Sequence, residues 1–329
     1  MEKRLFGIYN GDTEVSLYTI ENEHCSLTVT EIGASIYSLS VFSREVVCGF
    51  DTLEGYMRDT SSQGAVIGRV AGRIENAEFT MDGAIYMLTA NQNGNCLHGG
   101  FGLDRKIWSF ECADDNSITL SYLSPDGDEG FPANLMIRVT YRLTGTELQI
   151  SYSAIPDKKT PICLTNHSYF NLNQIGTSAL NHKLKLYADS FTETLNLLPT
   201  GRRISVEGTP LDFRTPRLMS DSLPEGFSYD HNFYITPTEY YNGLGLCAEV
   251  IGDALKMSVY TDQPCVSLYC HRALDKRQGD LFRNCKQKVS YEAFCLETQT
   301  EPNTVKYGKI FYDAGEEYTH NTIIKFERI

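Results

Sequence analysis

The stretch "LTNHSYFNL", residues 164–172, opens and closes like a buried strand, yet Asn166, His167 and Ser168 interrupt it. An imidazole set between Leu164 and Tyr169, Phe170 and Leu172 is a candidate proton carrier, because its ordinary pKa lies near neutrality. Four more polar residues sit in comparable settings: Arg73 after "GRVAG", His98 in "CLHGG", Asp230 in "YDHNFYI" and Glu297 in "FCLETQT". A charge in a strand-like apolar run is costly to bury unless it is paired or hydrogen-bonded. For any one of these residues, an outward position on an alternating strand is the simpler reading. Five together, each beside Gly or aromatic residues, point instead to a shaped polar pocket.

Other chemistries lack their residues. "GNCLHGG" is glycine-rich but has no Lys-Ser/Thr and no helical pattern after it, so it is not a phosphate loop. "GAVIGRVAGRI" is not G-x-G-x-x-G and has no βαβ context. "DGDEG" at 126–130 lacks the glycine position and distal glutamate of a calcium loop and reads as a solvated turn. Cys96/His98 and Cys163/His167 are half-sites for a metal with no second matched pair, so no metal is expected.

The elements that must position such residues are strands. "LMIRVTYRL" places Leu135, Ile137, Val139, Tyr141 and Leu143 on one face, "TGT" turns the chain, and Leu148, Ile150, Tyr152 and Ala154 alternate again. "SITLSYL", "ALKMSVY" and "CVSLYC" alternate in the same way, and "TIIKFERI" closes the chain with Ile324 and Phe326 inward. Twenty Tyr and sixteen Phe suit strands, while no stretch keeps a capped helical stripe. The expectation is an all-β chain, a sandwich or a barrel.

Composition narrows the partners. A length of 329 residues suffices for one large domain or two ordinary ones, and no linker or composition break marks a boundary. A net charge of −13 repels nucleic acid and anionic membranes, and the densest basic stretch, "HRALDKRQ" at 271–278, is no patch. No run of eighteen apolar residues exists and the N-terminal segment lacks the apolar core of a signal peptide, so a cytoplasmic location is expected. The ten cysteines, mostly inside apolar runs, read as reduced small hydrophobes. A neutral small molecule fits this chain better than a polyanion.

"LHGG", "LTNHSYFNL", "YDHNF" and "CLETQ", in this order and widely spaced, resemble the galactose mutarotase (aldose 1-epimerase) family. "SPDGDEGFP" and "GRVAGRI" add to the similarity, which runs from about residue 68 to 299 with fitting strands on either side. The resemblance implies one domain over residues 1–329, a large antiparallel β-sandwich with a sugar site on a concave face. It implies exchange between the α and β anomers of free aldoses such as galactose and glucose, by a monomer or homodimer without a cofactor. By matching motifs, Glu297 would be the catalytic base and His167 the catalytic acid. His98, Arg73 and Asp230 would bind the sugar. Three departures fall in ligand-facing motifs: Gly72 where many members carry Asn, Ser267 where many carry Gln, and Cys270-His271-Arg272 in place of a "TGN"-like turn. They leave the acid/base pair intact and bear on which sugar is preferred.

That reaction explains the residue types. One group removes the C1 hydroxyl proton while another protonates the ring oxygen, the ring opens, the aldehyde turns about C1–C2, and the roles reverse. A carboxylate and an imidazolium serve both directions, each worth about 10²–10⁴-fold. His167 must carry a proton to act as the acid, and a carboxylate such as Asp230 nearby would favour that. Two other readings remain: a β-sandwich glycoside hydrolase using Glu297 and Asp230 as its two carboxylates, and a sugar-binding protein without catalysis. Trp108, in "KIWSF", is expected in the core rather than against a ligand.

Overall fold

The computed structural model describes residues 1–173, 177–221, 223–224, 227–270 and 291–329. His271 and Arg272, and the basic stretch that they open, lie outside the described residues.

The alternating segments form strands with the expected faces inward. Leu135–Thr144 and Glu147–Pro156 pair residue by residue through a turn at Gly145 and Thr146, with Ile137, Val139, Tyr141 and Ile150 buried. The C-terminal strand Tyr318–Arg328 lies between Glu147–Pro156 and Leu255–Thr261, with Ile324 and Phe326 in the core. These strands belong to a ten-stranded antiparallel sheet. An N-terminal five-stranded sheet runs from Glu2–Tyr9 to Arg44–Glu45. A second five-stranded sheet has the order Leu198–Ser205, Ala188–Leu195, Tyr229–Ile235, Cys265–Cys270, Cys295–Gln299.

One hydrophobic cluster joins all three sheets. It takes Leu27 and Leu39 from the first, Ile137 and Phe326 from the long sheet, and Phe233 and Leu268 from the third. The architecture is a large antiparallel β-sandwich, and the apolar faces of its sheets supply the main burial energy. Trp108 is 1% exposed, with its indole N–H donating to the Leu103 carbonyl at 3.1 Å.

Three local expectations need correction. A short helix, Leu53–Arg58, is capped by Thr52, whose hydroxyl accepts from the Gly55 amide at 3.2 Å. Six residues make less than two turns, too few to show a helical period in sequence. Eight described cysteines are free thiols, seven of them buried, but Cys48 is disulfide-bonded. The "DGDEG" turn is tied rather than merely solvated: Asp128 accepts from Lys106 Nζ at 2.9 Å and from the Ser124 hydroxyl at 2.7 Å.

The third sheet positions the chemistry. Across it, Asn232 faces Ser267, which faces Glu297, and one row away Asp230 faces Tyr269, which faces Cys295. Side chains directly opposite share a face, and alternate residues take the other. Phe233, Val266, Leu268 and Leu296 therefore fill the core, while Asp230, Ser267, Tyr269 and Glu297 line a cavity on the opposite face.

Candidate active site

The cavity has a volume of about 220 Å³ and gathers Arg73, His98, His167, Asp230 and Glu297. These residues come from five separate parts of the chain, and the structure brings them together.

His167 is placed by its backbone. The short strand Thr165–Asn166 pairs with Val66–Ile67, the His167 amide donates to the Ala65 carbonyl at 2.9 Å, and its carbonyl accepts from the Gly64 amide at 3.0 Å. Asn166 completes the clamp by donating to the Gly64 carbonyl at 2.7 Å and accepting from the Ser168 hydroxyl at 2.6 Å. The three polar residues that interrupt an apolar run are thus one clamped imidazole and its two fasteners. Tyr169 stacks on the ring at 5.0 Å, and Tyr269 meets it edge-on at 5.8 Å. Phe170 does not pack on it but turns into the core beside Phe294.

Glu297 projects from the edge strand Cys295–Gln299, with Oε1 lying 3.7 Å from His167 Nε2. Both side chains are almost wholly buried, at 6% and 7% exposure. Burial pushes the Glu297 carboxyl up to about 8, with Asp230 adding to the rise and Arg73 opposing it. Burial pushes His167 below its ordinary value against its own backbone carbonyl and against Asp59, Asp230 and Asp104. Asp230 thus acts on His167 in the expected direction, but the loss of water outweighs it.

Arg73 and Asp230 pair at the cavity wall. Arg73 Nη2 donates to Asp230 Oδ2 at 3.2 Å and Nε to the Gln92 side-chain carbonyl at 2.7 Å, which leaves the rest of a fixed fork to face a ligand. Gln92 was invisible to sequence reasoning because its loop, "NQNGN", carries no period. Tyr269 and Gln299 were hidden because strand polarity alone does not tell a cavity face from a solvent face.

The Gly72 contact bears on whether His98 could hold a metal. His98, His167 and Glu297 offer ligand atoms within 4.8 Å of one another, a better cluster than either Cys/His half-site. His98 Nδ1, however, accepts the Gly72 amide proton at 3.2 Å, while its own amide donates to the Gly72 carbonyl at 2.9 Å. The ring proton then sits on Nε2, which is a donor with no lone pair for a metal. Metal-bound histidines show the reverse, with the second nitrogen donating to an acceptor. Burial also lowers His98 well below its ordinary value, keeping it a neutral donor suited to a hydroxyl oxygen.

Two of the departures can be read here. Gly72 has φ +75, and a Cβ there would come within 2.8 Å of Pro302, so the proline ring fills the space that a longer residue would take. At Ser267 the hydroxyl accepts from Gln299 Nε2 at 3.1 Å and donates to Asn232 Oδ1 at 3.2 Å. An amide is therefore still present at that wall, supplied by the neighbouring strand.

The arrangement is a buried carboxyl and imidazole beside a cation–carboxylate clamp, which suits proton transfer on a polyhydroxylated neutral ligand. Comparison with known proteins identifies the family. The family description "Aldose 1-epimerase" matches residues 16–325. A galactose mutarotase of Bos taurus is 37% identical over 334 residues, covering 96% of this chain and 95% of that protein. An aldose 1-epimerase of Escherichia coli (strain K12) is 31% identical over 321 residues, covering 91% of each. The crystal structure of an aldose epimerase homologue from C. elegans superposes with a TM-score of 0.88 at 26% identity, covering 96% of this chain and 99% of that one. The chain belongs to the aldose 1-epimerase family.

Proposed function

We propose that this chain interconverts the α and β anomers of free hexoses such as galactose and glucose, with Glu297 as the base and His167 as the acid. The observation that carries the assignment is the 3.7 Å approach of two buried proton carriers beside the Arg73–Asp230 clamp.

The proton count supports it. Burial favours a neutral Glu297 carboxylic acid beside a neutral His167 imidazole, which together hold one proton. A Glu297 carboxylate beside a His167 imidazolium holds the same one proton. Ring opening converts the second state into the first through the sugar: Glu297 gains the C1 hydroxyl proton and His167 gives one to the ring oxygen. After the aldehyde turns, ring closure runs the transfers backwards. Burial of both groups therefore stabilises the charge distribution of the open-chain stage, and each group serves as acid in one direction and base in the other.

A glycoside hydrolase would need two carboxylates acting across a glycosidic bond. Asp230 is held by Arg73, and the group that faces Glu297 is His167 rather than a second carboxylate. The eight free thiols among the described residues favour a cytosolic setting as part of this reading, against the one disulfide at Cys48. The cluster that joins Tyr18 to Phe326 supports a single domain over residues 1–329.

Saturation transfer between the α and β anomeric proton signals of galactose and glucose tests the proposal. Added protein should speed exchange without consuming sugar, and aryl galactosides in the same buffer should release no phenol. Phenol release without faster exchange would refute it.

The pocket residues should separate by role. Arg73→Ala and Asp230→Ala should weaken sugar binding as well as the rate, because each removes half of a partly buried pair assigned to holding hydroxyls. Their KM for galactose should rise together with the fall in kcat. A change in kcat alone would move these residues from binding to chemistry.

Activity should survive exhaustive EDTA treatment, since His98 presents a donor to the cavity. Loss on chelation with recovery on added zinc would overturn the tautomer assignment.

A further inference from the structure

Two buried carboxylates, one of them at the cavity wall, are not used by the acid/base scheme. Asp59 follows the short helix and accepts from the Ser61 amide at 2.7 Å, the Ser61 hydroxyl at 2.6 Å and the Gln63 amide at 2.6 Å. Asp104 lines the cavity itself, with its side chain 10% exposed. Its Oδ2 accepts from the Ser62 hydroxyl at 2.8 Å, while Oδ1 is buried with no hydrogen-bond partner among the described residues. The neighbouring guanidinium does not close on it: Arg105 Nε stays 3.9 Å away and Nη2 donates to the Asp59 carbonyl. An orphaned buried carboxylate oxygen is a cost that packing alone does not explain.

Both carboxylates are fastened to His167 through one loop. Asp59 holds Ser61, whose carbonyl accepts from the Tyr169 hydroxyl at 3.0 Å, and the Tyr169 ring stacks on His167. Asp104 is held by Ser62, whose carbonyl accepts from the Ala65 amide at 3.1 Å, and Ala65 accepts the His167 amide. The turn carrying Asp104 is itself rigid. Trp108 bonds its Leu103 carbonyl from below, and the Asp104 backbone packs so closely on Gly33 that a Cβ there would lie 2.6 Å from its carbonyl. The hydrogen-bonded paths that run from each aspartate through this loop end at His167.

We propose that Asp59 and Asp104 are positioning residues for the anomer exchange proposed above, a fixed pair of buried carboxylates that acts through His167 and stabilises its imidazolium. The state in which His167 carries the proton is the one that burial opposes, so exchange needs a counter-charge built into the wall. Other groups face the ring from the surrounding elements: Glu297 and Cys295 from one strand, Tyr269 and Asp230 from the next two, His98 from the opposite turn and Tyr169 from its own segment. Glu297 exchanges its charge during the reaction and Asp230 is engaged by Arg73. Asp59 and Asp104 are the remaining carboxylates: burial raises the pKa of both, while the hydrogen bonds from Ser61 and Gln63 to Asp59 and from Ser62 to Asp104 oppose that rise and favour the charged forms. The direction of their influence on His167 agrees, since both favour its charged form.

Asp59→Asn and Asp104→Asn test this, because an amide keeps the size and an acceptor for the serine contacts but not the charge. In each, the imidazole ionisation of His167, followed by NMR against pH without sugar, should move to lower pH by about one unit. The kcat for galactose should fall about tenfold with KM little changed, and its pH profile should move the same way. Asp104→Glu should keep the His167 ionisation, although its extra methylene disturbs the wall. A purely structural role predicts the opposite ranking, with the isosteric amide silent and the longer acid damaging. An unshifted His167 in both folded amide variants overturns the proposal, and a shift in only one overturns the pair in favour of that residue. If the amide variants do not fold, Asp104→Ser decides: a His167 ionisation moved to lower pH supports the charge and an unshifted one refutes it. A wild type that exchanges no anomers but shows the NMR shifts would refute the mutarotase reading and leave the electrostatic assignment standing.

Discussion

Glu297→Gln lowers the anomer-exchange rate by about 10²-fold or more while leaving sugar affinity close to wild type. Glutamine keeps the length and one acceptor oxygen of Glu297, so the contacts that hold a sugar survive. What is lost is the ability to take a proton from the C1 hydroxyl, and the transition state alone depends on that. His167→Asn gives the same signature, because a polar group remains at the end of the Thr165–Asn166 strand but cannot protonate the ring oxygen. The two losses do not add. Proton removal and proton donation belong to one step, so the double variant should be little slower than either single one. Additive losses would mean that the groups act on separate steps and would break the one-proton account of the site.

The same substitution should strengthen the fold as pH rises. The Glu297 carboxyl is held at about 8 in the folded chain against 4.5 for an ordinary glutamate. Below about 4.5 both folded and unfolded chains keep this proton, and the group has no effect. Between about 4.5 and 8 the unfolded chain releases it while the folded chain keeps it, so folding binds a proton and stability falls with rising pH by about 1.4 kcal/mol per unit. Glu297→Gln removes that loss. Its stability advantage over wild type should be absent near pH 4 and grow to a few kcal/mol by pH 8. His167, lowered by burial, contributes in the opposite sense as pH falls below about 6.5, but it is present in both proteins and cancels in the comparison. Urea unfolding of the two proteins across this range measures the difference. An advantage that does not change with pH would show that Glu297 stays ionised in the free enzyme.

Much of this was legible in the sequence because period two survives in most strands. Leu135 to Leu143 alternated in sequence and do so in the sheet, and the apolar partners Val266 and Leu268 fixed which face of "CVSLYC" is core. That left Ser267 and Tyr269 on the other face, but sequence gave no way to know that this face covers a cavity. The register that sets Ser267 opposite Glu297 is a long-range pairing and leaves no local mark. His167 stood out because an imidazole interrupted an apolar run. Asp59 and Asp104 did not, because acidic residues beside Ser and Arg in loops look like ordinary solvated turns. The loss of water around Glu297 and His167, which sets their proton affinities, is a property of the closed fold and appears nowhere in the spacing.

The most direct test of the central claim is polarimetry of freshly dissolved α-D-galactose with catalytic amounts of the wild-type protein. Optical rotation should relax to the same equilibrium value at a rate proportional to protein concentration, and Glu297→Gln at the same concentration should return nearly to the uncatalysed rate. Relaxation no faster than in buffer, from folded wild-type protein that binds galactose, would contradict it.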